Sequence, residues 1–214
     1  MNALALLGKE FEFRQRPLET CPTGIPEIDG LAGGLPQGCL TEIYGPASSG
    51  RTGLMLSALA AATDREEACA LVDTADAFDP QSAAAAGVKL ERLLWVRCGG
   101  NAEHALKVVD LLVQGGGFGM VIMDLADTPE QSARRISMTS WFRLRRAVEH
   151  TPAVLLVVEQ QPHAKTCASL MLEMRREKAS WSGAPGCSRL LRGIRVRAAR
   201  SKPSPSISTA FEAR

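Results

Sequence analysis

The fold of this chain is decided by the residues Gly45-Pro46-Ala47-Ser48-Ser49-Gly50-Arg51-Thr52. They follow the apolar stretch Leu40–Tyr44, which favours a strand, and they lead into Thr52–Thr63, which favours a helix. A glycine-rich turn between a strand and a helix, closed by a basic residue and a threonine, is typical of a Walker A phosphate loop. Its glycines let the backbone wrap round an anion, so that successive N–H groups face the phosphates. The sequence therefore predicts a P-loop nucleotide-binding fold.

Two side chains are predicted to hold Mg²⁺ beside this loop. The Thr52 hydroxyl closes the loop, and Asp124 ends the apolar strand Met120–Asp124 in the manner of a Walker B carboxylate. Arg51 stands where the motif has lysine, and its planar guanidinium keeps the charge but not the compact shape of an ammonium. We therefore expect ATP and Mg²⁺ to bind weakly.

Strand and helix patterns alternate along the chain, which predicts an α/β fold with a mostly parallel sheet and helices on both faces. The predicted parallel strands are Leu40–Tyr44, Cys69–Asp73, Leu93–Cys98, Met120–Asp124 and Ala153–Glu159. The predicted helices are Thr52–Thr63, Gln81–Ala86, Ala102–Gln114 and Glu130–Glu149. After these elements, Ser169–Glu173 and Leu190–Arg197 are expected to add antiparallel strands at the C-terminal edge of the sheet.

The same patterns divide the chain into three parts. Residues 1–21 form a predicted N-terminal extension, and residues 22–200 form the P-loop domain. Residues 201–214 are rich in serine and proline and lack periodicity, so we expect a disordered tail.

Composition favours a cytoplasmic protein with no membrane partner. The longest apolar runs, such as Ala153–Val158, are far shorter than the roughly 20 residues that a bilayer span needs. The 6 cysteines show no CxxC spacing, so we expect buried free thiols rather than metal ligands. The 3 histidines have no nearby constellation that predicts a catalytic triad.

Charge is distributed unevenly along the chain. Residues 1–142 contain 11 basic and 18 acidic side chains, whereas residues 143–214 contain 14 basic and 5 acidic ones. A basic C-terminal third favours a polyanion or an acidic protein surface as partner, including weak, salt-sensitive contact with single-stranded DNA. Solvated surface charge is the alternative that remains open.

Several stretches resemble the RecA recombinases. Pro22–Gly30, Gly33–Gly38 and Glu42–Gly50 are similar to the segment that leads into the recombinase P-loop. Leu71–Pro80 resembles the second strand with its following loop, and Arg192–Lys202 resembles the late basic strand. The resemblance implies a RecA-type core.

The departures from that family fall on its working positions. Ala75 aligns with the glutamate that activates the attacking water, and the neighbouring Asp76 is a weak substitute. Ser82 aligns with the tyrosine that stacks on adenine, while Asp79 remains placed to meet the base edge. The resemblance therefore implies a degenerate P-loop ATPase, and we assign no catalytic residue.

The segments that match the two DNA-binding loops are short, spanning residues 125–129 and 160–165. Such a reduced RecA paralogue resembles the ImuA family, accessory proteins of SOS mutagenesis and translesion synthesis. That resemblance implies RecA and a Y-family polymerase-like protein as partners. Arg200 and Lys202 match basic residues that recombinase protomers extend towards a neighbour's ATP.

Three other functions remain open from the sequence. One is a minimal RecA-type recombinase with ATP-dependent DNA binding and strand exchange. Another is a SulA-type inhibitor of cell division. The third is a KaiC-type switch, in which bound nucleotide only sets the oligomeric state.

Overall fold

The computed structural model describes residues 19–182, 190–200 and 207–211. Its strands are β1 Thr20–Cys21, β2 Leu35–Pro36, β3 Cys39–Tyr44, β4 Cys69–Asp73, β5 Leu93–Arg97, β6 Met120–Asp124, β7 Val154–Glu159, β8 Leu170–Ser182, β9 Leu190–Arg200 and β10 Ile207–Phe211. Its α-helices are α1 Pro26–Ala32, α2 Arg51–Asp64, α3 Pro80–Ala85, α4 Ala102–Gly115, α5 Glu130–Arg134 and α6 Met138–Val148.

The main sheet has the strand order β10-β9-β8-β3-β7-β6-β4-β5. All neighbouring strands from β8 to β5 run parallel. The last two strands, β9 and β10, are antiparallel additions at the edge. This arrangement confirms the predicted α/β class, with a mostly parallel sheet and an antiparallel C-terminal edge.

The direction of β8 differs from the prediction. Ser169–Glu173 was expected to add an antiparallel strand, but β8 pairs parallel with β3, with Thr41 opposite Leu170 and Tyr44 opposite Glu173. Residues 160–169 leave β7 at the carboxyl end of the sheet and return to its amino end, so they form a crossover connection. Only β9 then reverses direction.

Short strands lie beyond both predicted boundaries of the P-loop domain, residues 22 and 200. β1 starts at Thr20, inside the predicted extension, and pairs with β2. β10 lies inside the predicted disordered tail and pairs with β9 from Ile207 opposite Ala198 to Phe211 opposite Ile194. The tail prediction is therefore wrong for residues 207–211, because the exposed edge of β9 supplies a hydrogen-bonding partner that composition does not reveal. Residues 201–206 and 212–214 lie outside the described residues.

Apolar side chains fill both faces of the sheet. One cluster contains Ile28 of α1 and Leu54 of α2, and the other contains Val109 of α4 and Trp141 of α6. No helix in the described parts of the chain is both long and apolar enough to cross a bilayer. The cysteines within the described residues are buried free thiols, as predicted: Cys21, Cys39, Cys69, Cys98 and Cys167. Cys187 lies outside the described residues.

Candidate nucleotide-binding site

The predicted phosphate loop connects the end of β3 to the start of α2. A methyl group at Gly45 would collide with the Met174 carbonyl oxygen of β8, so the backbones approach there too closely for a side chain. Gly50, with φ of 93°, takes the left-handed conformation that starts the helix. The helix begins with the hydrogen bond from Leu54 N–H to the Gly50 carbonyl. The N–H groups that precede it have no acceptor within the helix and lie at its positive end.

Two polar side-chain atoms of this loop are buried without a hydrogen-bond partner among the described residues. Arg51 is only 6% exposed, and its Nη1 has no hydrogen-bond partner among the described residues. Ser49 is 1% exposed, and its Oγ also lacks a partner there. Because buried polar groups are almost always hydrogen-bonded, these two atoms are suited to a bound anion.

Electrostatics at Arg51 reflect burial and nearby carboxylates. Burial lowers the pKa of the guanidinium, and the negative charges of Asp124, Asp127 and Glu159 act in the opposite direction. The ordinary pKa of arginine is so far above neutral pH that the guanidinium stays charged. The loop therefore keeps a fixed positive charge at the position of the Walker lysine.

Asp124 lies at the carboxyl end of β6, as predicted. Strand β3, which leads into the phosphate loop, and strand β6, which ends at Asp124, flank β7 in the sheet. Asp124 Oδ1 accepts a hydrogen bond from Ala126 N–H at 2.9 Å. Burial raises the pKa of Asp124 to about 6, and the charges of Asp73 and Asp127 add to this effect.

The side-chain oxygens of Thr52 and Asp124 are ligands of the kind that P-loop proteins offer to Mg²⁺. Thr52 is exposed in the first turn of α2 and offers a hydroxyl oxygen, while Asp124 offers a carboxylate. No group of three His, Cys, Asp or Glu side chains in the described residues could hold a metal by itself. Mg²⁺ prefers such oxygen ligands and commonly takes one or two from protein and the rest from water and phosphate. Thr52 and Asp124 would therefore hold the ion together with a nucleotide.

The loop after β4 uses its carboxylates to hold its own structure. Asp73 is buried and accepts hydrogen bonds from the N–H groups of Ala77 and Phe78 and from Trp95 Nε1. Asp76 has φ of 59° and bonds to Arg97 of the edge strand β5 at 3.1 Å. Asp76, which the sequence analysis considered as a weak substitute for a glutamate at position 75, is therefore engaged with Arg97.

Asp79 caps helix α3. Its carboxylate accepts from Gln81 N–H at 3.2 Å, from Ser82 N–H at 3.0 Å and from Ser82 Oγ at 2.5 Å. These bonds lower the pKa of Asp79, with the Ser82 hydroxyl as the largest cause. A contact of Asp79 with a base would have to use the lone pairs that remain.

The predicted basic residues of the last strands are separated from the phosphate loop. Arg200 ends β9 opposite Leu170, the first residue of β8. This is the amino end of the parallel strands, whereas the phosphate loop follows their carboxyl end. Lys202 lies outside the described residues. Arg200 therefore lies at the opposite end of the strands from its own phosphate loop.

The sequence analysis missed a buried acid pair beside the loop. Glu42 of β3 and Glu159 of β7 are both 0% exposed. Glu42 Oε1 accepts from the N–H groups of His163 and Ala164 at 2.7 and 2.8 Å. His163 Nδ1 lies 2.6 Å from Glu159 Oε2. Burial raises the pKa of Glu42 to about 9, and the neighbouring Glu159 adds to this effect.

Glu42 interrupts an otherwise uncharged strand, and that pattern was the available signal. Asp127 was also missed, although its charge acts on both Arg51 and Asp124. Gln160 is the first residue after β7, and its Nε2 donates a hydrogen bond to the Ala126 carbonyl at 3.0 Å. It joins the loops that follow β6 and β7.

Known proteins are similar to this chain in sequence over much of its length. The profile of the RecA N-terminal domain matches residues 2–133. Protein RecA of Streptomyces avermitilis is 40% identical over 133 residues, which cover 57% of this chain and 35% of that protein. Protein RecA of Brucella anthropi is 42% identical over 109 residues, covering 50% and 30% respectively. The chain thus spans about a third of the length of these curated relatives. The chain belongs to the RecA N-terminal domain family.

Proposed function

We propose that this protein is a non-recombinogenic RecA-like accessory factor that binds nucleotide weakly and hydrolyses it negligibly. The proposal rests on two features that occur together at the carboxyl end of the strands. Arg51 and Ser49 hold buried polar atoms without a described protein partner, and Ala75 offers no carboxylate to activate water. Anion binding and hydrolysis are therefore separable here.

The experiment is a titration with a fluorescent ATP analogue and Mg²⁺, followed by an assay for released phosphate. We expect a Kd in the micromolar range or weaker, with Gly45–Thr52 at the phosphates and Asp79 at the base edge. Phosphate release should stay at background with and without single-stranded DNA. DNA-stimulated turnover that Asp124→Ala abolishes would instead favour a minimal recombinase.

The proposed role is that of an ImuA-like protein in DNA-damage-induced translesion synthesis. RecA is one partner, and a Y-family polymerase-like protein is the other. Arg200 supports a contact that acts in trans, because it lies at the opposite end of the strands from its own phosphate loop. With Lys202, it would supply positive charge to the ATP of a neighbouring RecA protomer, as an arginine finger does.

The trans contact is tested by titrating the protein onto RecA–ATP filaments and comparing it with Arg200→Ala/Lys202→Ala. We expect the wild type to bind filament ends and the double variant to bind much more weakly. Arg176→Ala, which changes an exposed arginine of β8, is the matched control. Equal binding by all three proteins would assign the basic third to another partner.

DNA contact is proposed to be weak and limited to the phosphate backbone. Arg195 and Arg197 on β9 are exposed and contribute positive charge at the sheet edge. Binding to a fluorescent oligonucleotide should weaken steeply as salt rises and show no sequence preference. Tight binding at high salt would contradict this mode.

A further inference from the structure

Helix α6 exposes two large apolar side chains on its outer side. Met138 is 41% exposed and Phe142 is 50% exposed, and they lie one helical turn apart. The inner side of the same helix is buried in the core through Trp141, Leu144 and Val148. Neither side chain belongs to the apolar cluster that holds α6 against the sheet.

Basic side chains adjoin this apolar pair. Arg145 and Arg146 follow Phe142 by three and four residues, so they lie next to it along the helix. Arg145 donates to the Thr166 carbonyl at 3.4 Å, which places Lys165 in the neighbouring turn. No ion pair with a described residue engages Arg146 or Lys165. We call Met138, Phe142, Arg145 and Arg146 the α6 face.

We propose that the α6 face docks a segment of another protein that carries an apolar anchor flanked by acidic side chains. Exposed aromatic, methionine and arginine side chains are the types enriched in protein interfaces. The acidic requirement follows from charge complementarity with Arg145, Arg146 and Lys165. Met138 and Phe142 are about 6 Å apart along the helix, so one or two turns of a partner helix would cover them.

A protein segment suits this face better than a nucleic acid strand. The apolar centre combines Met138 with the only aromatic ring on that side, Phe142, among the described residues of α6. A base-stacking groove would instead need cations that track the backbone past the aromatic ring.

The face is separate from both proposed contacts. α4 and α6 cover one side of the sheet, whereas α1 and α2 cover the other. β9 lies next to the edge strand β10, and both strands contact α1. A protein bound to the α6 face would therefore leave the arginines of β9 accessible. The inference thus goes beyond the proposed contact with RecA.

The test is selection of a displayed random 12-residue peptide library on the full chain, with counter-selection on Met138→Ser/Phe142→Ser. Enriched peptides are synthesised with a fluorophore and measured by anisotropy. We expect an aromatic or aliphatic anchor flanked by aspartate or glutamate. Binding should weaken about tenfold or more in the double serine variant, since truncating anchors costs over 1 kcal/mol.

Arg145→Glu/Arg146→Glu keeps the apolar pair and should also weaken the same peptides about tenfold. Leu111→Ser is the matched control, because Leu111 is an apolar residue of α4 that is 71% exposed. Binding to that variant should match the wild type. Thermal melts confirm that each variant is folded, so a loss of binding reports on the face itself.

Four results would overturn the proposal. One is the absence of enrichment over the counter-selected variant, and another is a consensus without acidic residues. The third is binding of a dT15 oligonucleotide that the serine variant abolishes, which would assign the face to nucleic acid. The last is a dimer in sedimentation that the same variant dissociates, which would assign it to a second copy of the chain.

Discussion

Two loops at the carboxyl end of the sheet differ in whether their polar side chains have hydrogen-bond partners within the protein. In the loop after β3, Arg51 Nη1 and Ser49 Oγ are buried and lack partners among the described residues. In the loop after β4, Asp73, Asp76 and Asp79 are all engaged by hydrogen bonds within the protein. The first loop is suited to a ligand, and the second is suited to holding its own shape. The comparison shows that neighbouring loops of one sheet can differ in whether their buried polar atoms have partners within the protein.

The largest expected effect comes from adding one methyl group to the first loop. Gly45→Ala would collide with the Met174 carbonyl oxygen, a backbone atom of β8 that cannot rotate away. We expect about 3 kcal/mol lower unfolding free energy, at the upper end of overpacking costs, and loss of nucleotide binding. Urea unfolding and analogue titration measure both quantities.

Gly53→Ala is the matched control for that substitution. Gly53 lies in α2, and a methyl group there would meet no atom within 4 Å. Stability should stay the same or rise by up to about 1 kcal/mol, because alanine favours the helix. If the two variants were equally stable, the close approach of β8 would not be what shapes the loop.

The second loop is tested by Asp73→Asn. An amide keeps one acceptor oxygen and places a donor where the carboxylate accepts from backbone and indole N–H groups. We expect unfolding free energy to fall by about 2 kcal/mol, because buried donors lose their acceptor. Asp76→Asn breaks only a partly exposed pair with Arg97, and its effect should stay within about 0.5 kcal/mol. Similar losses in both variants would mean that Asp73 does not hold the loop.

Sequence patterns predicted the first loop far better than the second. The bounds of the phosphate loop and the position of Asp124 follow from local turn chemistry and strand periodicity, which residues close in sequence determine. The engagement of Asp76 could not be predicted, because Arg97 belongs to β5 and meets it only after the sheet forms.

Longer-range pairings were equally inaccessible to local reasoning. Glu42 meets His163 and Ala164 across more than 100 residues of chain, through the parallel pairing of β3 and β7. The direction of β8 depended on residues 160–169 crossing back to the amino end of the sheet, and no propensity within the strand encodes that path.

A smaller effect is expected from Arg51→Lys, which tests why the first loop binds weakly. A compact ammonium fits between phosphates better than a planar fork, so we expect about tenfold tighter binding of the ATP analogue. Hydrolysis should stay at background until Ala75→Glu is added to the same chain. Arg65→Lys, at the other end of α2, should change neither quantity. Turnover by Arg51→Lys alone would show that a base other than residue 75 operates.

The smallest expected effect is a change in how stability depends on pH. Glu42 has an ordinary pKa of 4.5, and burial raises it to about 9 in the folded chain. Between these values the folded chain holds a proton that the unfolded chain has lost, so unfolding free energy falls as pH rises. Oε2 of Glu42 is buried without a hydrogen-bond partner among the described residues, an environment that disfavours a charged carboxylate. Glu42→Gln keeps an N–H donor at that position and cannot ionise. We expect the variant to lack a slope of about 1 kcal/mol per pH unit that the wild type shows between pH 5 and 9.

Glu103→Gln, on the exposed side of α4, should keep the wild-type slope. Unfolding curves of the wild type and the variants across this range measure the difference in slope. Asp124 and His163 are present in all of these proteins, so their contributions to that difference largely cancel. Parallel slopes for the wild type and Glu42→Gln would mean that Glu42 is ionised, and that the strand leading into the phosphate loop carries a buried charge rather than a shared proton.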